Sequence, residues 1–165
     1  THAVTLDGDL QHDPAEVPRF TGRAAAVPRG IVVGVRDMGQ APPRSRFARW
    51  ISNVFMRVAS GCDVGDSQTG YRVYPLAPVL SLGLTGDRYE LEVEVLVRAG
   101  WAGLPITQLP CEVWYAPPEE RQSHFRLGAD LARMITMYAR LVFTRWLSPA
   151  LWIPPRPDAM TGAER

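Results

Sequence analysis

The 165-residue chain contains no lysine, and all eighteen of its basic residues are arginine. Any phosphate this protein holds is therefore held by guanidinium, which can grip two oxygens of one group at once. Net charge is nearly absent as well, at +1. That balance excludes a dedicated nucleic-acid binder, which needs a clear basic surplus to neutralise a polynucleotide. Cysteine is scarce: Cys62 and Cys111 stand far apart with no CxxC spacing. Reduced thiols are expected there, rather than a disulfide framework or a zinc site. No signal peptide opens the chain and no uninterrupted apolar run is long enough to span a bilayer, so a cytoplasmic protein is expected. What is present is ordinary for one globular domain, with 46% apolar and 21% charged residues.

Strand and helix signals alternate along the chain. Ala3 to Leu6 is a short apolar run that suits a buried strand. Asp13-Pro14-Ala15-Glu16 then reads as a helix start, with an Asp cap, a Pro in the first turn and a Glu three residues on; the helix is expected to reach about Arg23. Ile31 to Val35 is β-branched and bounded by glycines, a second strand. A polar loop leads to a helix from about Ser45 to Ser60, with Phe47, Ile51, Val54, Phe55 and Val58 at helical spacing and Gly61 as its stop. Tyr71 to Tyr74 reads as a short strand and Pro75 to Leu84 as a short helix. "YELEVEVLVRAGW" carries both periods; the strand-like run Ile106 to Val113 that follows favours a helix over Glu90 to Ala99. A long helix is expected from about Leu127 to Leu147, and residues 149–165 read as a disordered tail. The alternation implies an α/β layer structure, a mixed sheet flanked by helices.

The stretch "VTLDGDLQHDP" raises the question of function. Asp7-Gly8-Asp9 can be a plain turn, since both residue types are common turn formers. A calcium loop counted from Asp7 would need Gly and Glu at the positions held by His12 and Pro18, so that reading fails. A dehalogenase-type phosphatase would show Asp-x-Asp-Gly-Thr, and here the Gly lies between the aspartates. An Asp-x-Asp pair at a strand's carboxyl end remains, where ligands collect in open α/β sheets. Two carboxylates there can jointly hold a hard cation that takes phosphate oxygens as its other ligands.

The continuation resembles family 2 glycosyltransferases. "VTLDGDLQHDPAEVPRF", "SRFARWISN", "DSQTGYRVYP", "YELEVEVLVRAGWAGLPITQLPCEVWY" and "ERQSHFR" follow the family's order and spacing from Val4 to about Asp130. The likeness is greatest to the polyprenyl-phosphate sugar transferases typified by dolichyl-phosphate mannose synthase. It implies a partial GT-A (Rossmann-like) fold over residues 1–148 and a nucleotide-sugar donor. It also implies Mg2+ or Mn2+ held by Asp7, Asp9 and Gln11, with Gln11 also touching the nucleotide diphosphate. The family's Asp-x-x-(Ser/Thr)-Gly-(Phe/Tyr)-Arg element maps Asp66, Thr69, Gly70 and Arg72 to the site. Asp66 and Arg72 are the catalytic candidates. Asp66 is the general base if the acceptor is a hydroxyl, or orients the sugar or an arginine if the acceptor is a lipid phosphate. "ERQSHFR" departs from the family's Arg-x-x-Gly-x-Ser-Lys pattern: Arg121 fits its first position, while Ser123, His124 and Arg126 replace the remainder. These four residues are expected over the diphosphate, and Arg44 and Arg46 facing an acceptor phosphate. His12 is read mainly as part of the helix start.

The last helix sets Leu131, Met134, Ile135, Tyr138, Leu141, Val142 and Trp146 largely along one face, interrupted by Arg133, Arg140 and Arg145. It suits either packing on the sheet or an interfacial seat for a lipid-linked acceptor at the inner face of a membrane. Family members begin with a βαβ unit for the base and ribose, whereas only three residues precede Val4. The chain is accordingly expected to be a C-terminal part, weakly active or inactive alone. The alternatives are a degenerate fragment, a module requiring a partner chain, and a metal-dependent phosphate-ester hydrolase.

Overall fold

A computed structural model describes residues 1–39, 41–115 and 129–148. Four strands form one mixed sheet in the order β1-β3-β2-β4. β1 is His2–Thr5, β2 Ile31–Arg36, β3 Arg72–Pro75 and β4 Ile106–Cys111. β3 runs antiparallel to both neighbours, and β2 runs parallel to β4. The carboxyl ends of β1, β2 and β4 thus share one sheet edge with the amino end of β3. Register then decides which residues meet at that edge. Arg72 lies opposite Thr5 on one side and Val33 on the other. Whatever follows β1, follows β2 or precedes β3 is therefore brought together.

The helices are α1 (Val17–Ala26), α2 (Pro43–Ser60), α3 (Leu76–Leu80), α4 (Arg88–Trp101) and α5 (Ala129–Leu147). β2 is buried on both faces, which is why it reads as a nearly unbroken apolar run. Its Val32 joins Phe20 and Ala24 of α1 and Tyr71 and Val73 on one side of the sheet. Ile31 and Val33 join Met56 of α2, Leu96 of α4 and Leu141 of α5 on the other. Each such fully buried side chain contributes about 1.5–3 kcal/mol. α2 ends at Gly61, whose φ of +81° suits glycine, and Arg145 of α5 donates to the Val58 carbonyl at 2.7 Å. Arg145 is therefore a buried cap on α2, not an interruption of an outer apolar surface.

Several boundaries differ from expectation. Asp13 does cap, its carboxylate accepting from the Ala15 amide at 2.8 Å, but it caps a single 3-10 turn, Pro14–Glu16, before α1 begins and runs on to Ala26. α2 starts two residues early because Pro43 fits a first helical turn. α3 stops at Leu80, since the following Leu82-Gly83-Leu84 turns at a glycine with φ of +65°. β4 ends at Cys111, two residues short of Val113. The "YELEVEVLVRAGW" segment is helical. Glu94 accepts from Arg98 one turn on and from the Gly86 amide, while Val93, Val95, Leu96 and Val97 are all buried. Such nearly all-round burial removes the helical period from the sequence. The tail expected over 149–165 lies outside the described residues.

Candidate functional site

The sheet edge joins two segments that stand far apart in sequence. Asp7 follows β1, and its carboxylate accepts from the Gly70 amide at 3.2 Å, just ahead of β3. The approach is so close that a Cβ on residue 70 would lie 2.1 Å from Asp7 Oδ1. Only glycine leaves room for the carboxylate at that point. Thr5 reinforces the junction by donating to the Gly70 carbonyl at 2.8 Å. Beneath it, Tyr71 stacks on Phe20 with ring centroids 4.2 Å apart, and the buried His12 meets Tyr71 edge-on. His12 is a packing residue here, with its Nδ1 3.4 Å from the Glu112 carbonyl.

Asp66 is completely buried. Arg36, at the carboxyl end of β2, grips it with two bonds, Nε to Oδ2 at 2.7 Å and Nη2 to Oδ1 at 2.9 Å. Arg49 of α2 adds a 3.3 Å contact to Oδ2 and donates to the Arg36 carbonyl at 2.8 Å. Burial would raise the Asp66 pKa, but the Arg36 bond, the two guanidinium charges and the Gln68 amide outweigh it and hold the carboxyl below its usual range. So placed, Asp66 is a poor proton acceptor. That disfavours the general-base role expected with a hydroxyl acceptor; what Asp66 holds is two arginines, in keeping with the other role expected of it, orienting an arginine.

Arg72 is likewise completely buried. Its guanidinium donates to the carbonyls of Thr69 at 2.8 Å and Ser67 at 3.0 Å, to the Glu92 carbonyl, and to the Tyr74 hydroxyl at 3.1 Å. A cation taken from water needs such partners. Arg72 thus pins the 67–69 turn to α4, and its expected catalytic role is corrected to a structural one. Thr69 is buried too, accepting from the Tyr71 amide at 3.2 Å.

The rim itself is more open. Asp7 is half-buried and Asp9 exposed, with Asp9 Oδ1 accepting from the Gln11 amide at 3.1 Å. Leu10 between them has φ of +61° and is 85% exposed, the one non-glycine among the described residues in the left-handed region. That conformation costs about 1 kcal/mol and persists only where the surroundings impose it. Among the described residues no hydrogen bond engages Asp7 Oδ1 or Asp9 Oδ2, and no group of three or more His, Cys, Asp or Glu could hold a metal ion. Two carboxylates and the Gln11 amide oxygen are hard donors. Such donors are of the kind that Mg2+ and Mn2+ take.

Glu92 completes the cluster. It sits half-buried on α4 and feels the charges of Arg72 and Arg36 as well as of Asp7 and Asp66. Burial, opposed by Arg72 and aided by Asp7, pushes its carboxyl up to about 7.

A search of family models finds none that matches the chain. It is 28% identical over 119 residues to the uncharacterized protein MJ1222 of Methanocaldococcus jannaschii, covering 68% of this chain and 49% of the relative. The chain thus spans about half the length of the curated relative it matches.

Of the expected site residues, the fold brings Asp7, Asp9, Gln11, Asp66, Thr69, Gly70 and Arg72 to one edge. Arg44 and Arg46 stand in the first turn of α2, Arg46 with an exposed side chain. Arg121, Ser123, His124 and Arg126 lie outside the described residues. Sequence reasoning missed Arg36, Arg49 and Glu92. Arg36 carried a signal, being the first residue after "IVVGV" at a strand's carboxyl end. Arg49 and Glu92 carried none, one lying in an arginine-rich helix and the other in a run of alternating glutamates.

Proposed function

We propose that this chain forms part of an inverting, metal-dependent glycosyltransferase that moves a sugar from a nucleotide diphosphate sugar to a lipid-phosphate or hydroxyl acceptor. One observation carries the reading: Asp7 and Gly70, from two of the segments that resemble family 2 glycosyltransferases, lie in contact at the carboxyl edge of the sheet. A divalent cation would supply charge stabilisation for the leaving diphosphate. Asp7 and Asp9, with Gln11, would hold it. Arg36 and Arg49 share one buried carboxylate, so they supply one guanidinium charge more than Asp66 neutralises, toward an anionic acceptor or the diphosphate.

The outer face of α2 and α5 supports a lipid-linked acceptor. Phe47 and Trp50 of α2 are each 61% exposed and stack on one another, and Phe143 and Trp146 of α5 are exposed as well. Aromatic side chains beside an exposed arginine such as Arg46 suit the boundary of a bilayer with anionic headgroups. None of the described helices is long and apolar enough to cross a membrane.

Calorimetry of Mn2+ with UDP and with GDP tests the reading. Binding by the parent chain that falls about tenfold in Asp9→Ala is expected, each factor of ten being 1.4 kcal/mol. Binding unchanged by the substitution would remove the metal role. The alternative, a non-catalytic module that requires a partner, draws on the position of β1, which pairs only with β3 among the described residues. Size exclusion with and without a candidate partner chain separates the two.

A further inference from the structure

We infer that Asn53 is a positioning residue for the rim, clamping the chain on both sides of Asp66 and so setting the two guanidiniums that Asp66 holds. Its side-chain Nδ2 donates to the Gly65 carbonyl at 2.7 Å, and its Oδ1 accepts from the Ser67 amide at 3.0 Å. The two main-chain groups leave only one orientation for the amide: an N–H must face the carbonyl and an oxygen must face the N–H. Asn53 thereby bridges residues 65 and 67 and leaves Asp66 between them no freedom to turn.

The clamp is itself held. Ser67 Oγ also donates to Asn53 Oδ1, at 2.9 Å, so it must accept from Ser52 Oγ, 2.9 Å away. Ser52 in turn accepts from the Tyr138 hydroxyl of α5 at 2.7 Å. Ser52, Ser67 and Tyr138 are all buried, and a buried hydroxyl chain satisfied in one direction is rigid. Arg49 and Asn53 stand four residues apart on one face of α2. One face of this helix thus grips the Asp66 carboxylate through Arg49 and its backbone through Asn53. The ligand served, a phosphate-class anion at Arg36 and Arg49, rests on the glycosyltransferase reading; the positioning itself does not.

The test uses the whole chain with inorganic pyrophosphate as probe and two readouts. One is pyrophosphate affinity, and the other is the exchange protection of the Arg36 Nε–H by NMR. In Asn53→Ala, affinity is expected to weaken about tenfold and the Arg36 proton to exchange about tenfold faster. Ser52→Ala, which keeps both main-chain bonds of Asn53, is expected to change each less than about threefold. A folded Asn53→Ala protein with a lower thermal midpoint but unaltered affinity and Arg36 protection would make Asn53 a packing residue and overturn the inference. If the parent chain ignores pyrophosphate, the anion site is refuted, and Arg36 protection alone still decides the positioning role. Should Asn53→Ala not fold, Asn53→Ser, too short to reach both groups, is read in the same two ways.

Discussion

Asp7 and Asp66 arrive at the same sheet edge from segments far apart in sequence, and their surroundings give them opposite duties. Asp66 is wholly buried between two guanidiniums, with Arg36 bonded to both of its oxygens. Asp7 is half-buried, among the described residues meets only a main-chain amide, through Oδ2, and has Asp9 exposed two residues on. A carboxylate whose oxygens are already bonded to cations anchors the fold. One that retains open lone pairs beside a second carboxylate can bind something else. Burial and partners separate the two roles, not residue type.

Four substitutions test this division. The largest effect is expected from Asp66→Ala, which leaves Arg36 and Arg49 without their anion and costs about 3–5 kcal/mol in urea unfolding. The Asp66 contribution should also follow pH. Its folded pKa lies below the ordinary value, so its stabilisation is complete above about pH 4 and is lost as pH falls through the depressed value. Asp66→Ala should abolish that acid limb of the stability curve.

Gly70→Ala sharpens the contact between the two segments. Its Cβ would lie 2.1 Å from Asp7 Oδ1, so the carboxylate must move. A stability loss of about 1–3 kcal/mol is expected, together with Mn2+ binding as weak as that of Asp7→Ala. Retained Mn2+ binding would mean that the Asp7 position is irrelevant to the rim.

Glu92→Gln comes next. The Glu92 carboxyl is raised from 4.5 to about 7, so its contribution is fully present below the lower value and lost as pH rises through the upper one. The substitution should flatten that window of the stability–pH curve and raise stability at pH 8 by about 1–2 kcal/mol, a figure reduced for solvent screening. An unaltered curve would show that Glu92 does not share the field of the cluster. The smallest effect on folding belongs to Asp9→Ala, within about 0.5 kcal/mol. A loss as large as that of Asp66→Ala would end the distinction between anchor and rim.

Much of this arrangement was legible beforehand, for physical reasons. β2 announced itself because a strand buried on both faces must be apolar throughout, and α2 because apolar residues recur at helical spacing and a glycine ends it. Most of those α2 residues, Phe47, Val54, Phe55 and Val58, are nonetheless exposed, and the buried face carries Ser52, Met56 and Ala59. α4 was harder: Glu90, Glu92 and Glu94 alternate as in a strand, while Glu94 is in fact buried on Arg98 and the 85–86 turn. Asp7 and Asp9 could be singled out as paired carboxylates at a strand's end, which a plain turn would also explain, and Gly70 only through the resemblance to family 2 glycosyltransferases. Arg72 was singled out for catalysis and Asp66 for two alternative duties, of which only the one toward an arginine matches its partners. Their total burial is a property of neighbours rather than of their own segment.

The sequence by itself determined the α/β class, the principal helices and strands, and the carboxylate pair after β1. These depend on periodicity and local turn chemistry, which act within a few residues. Only the tertiary structure decided that Asp66 is an anchor, that Arg36, Arg49 and Glu92 belong to the same cluster, and that Asn53 holds the chain around Asp66. Charge pairing and desolvation act through space, and the fold brings these residues together from four separate stretches of chain.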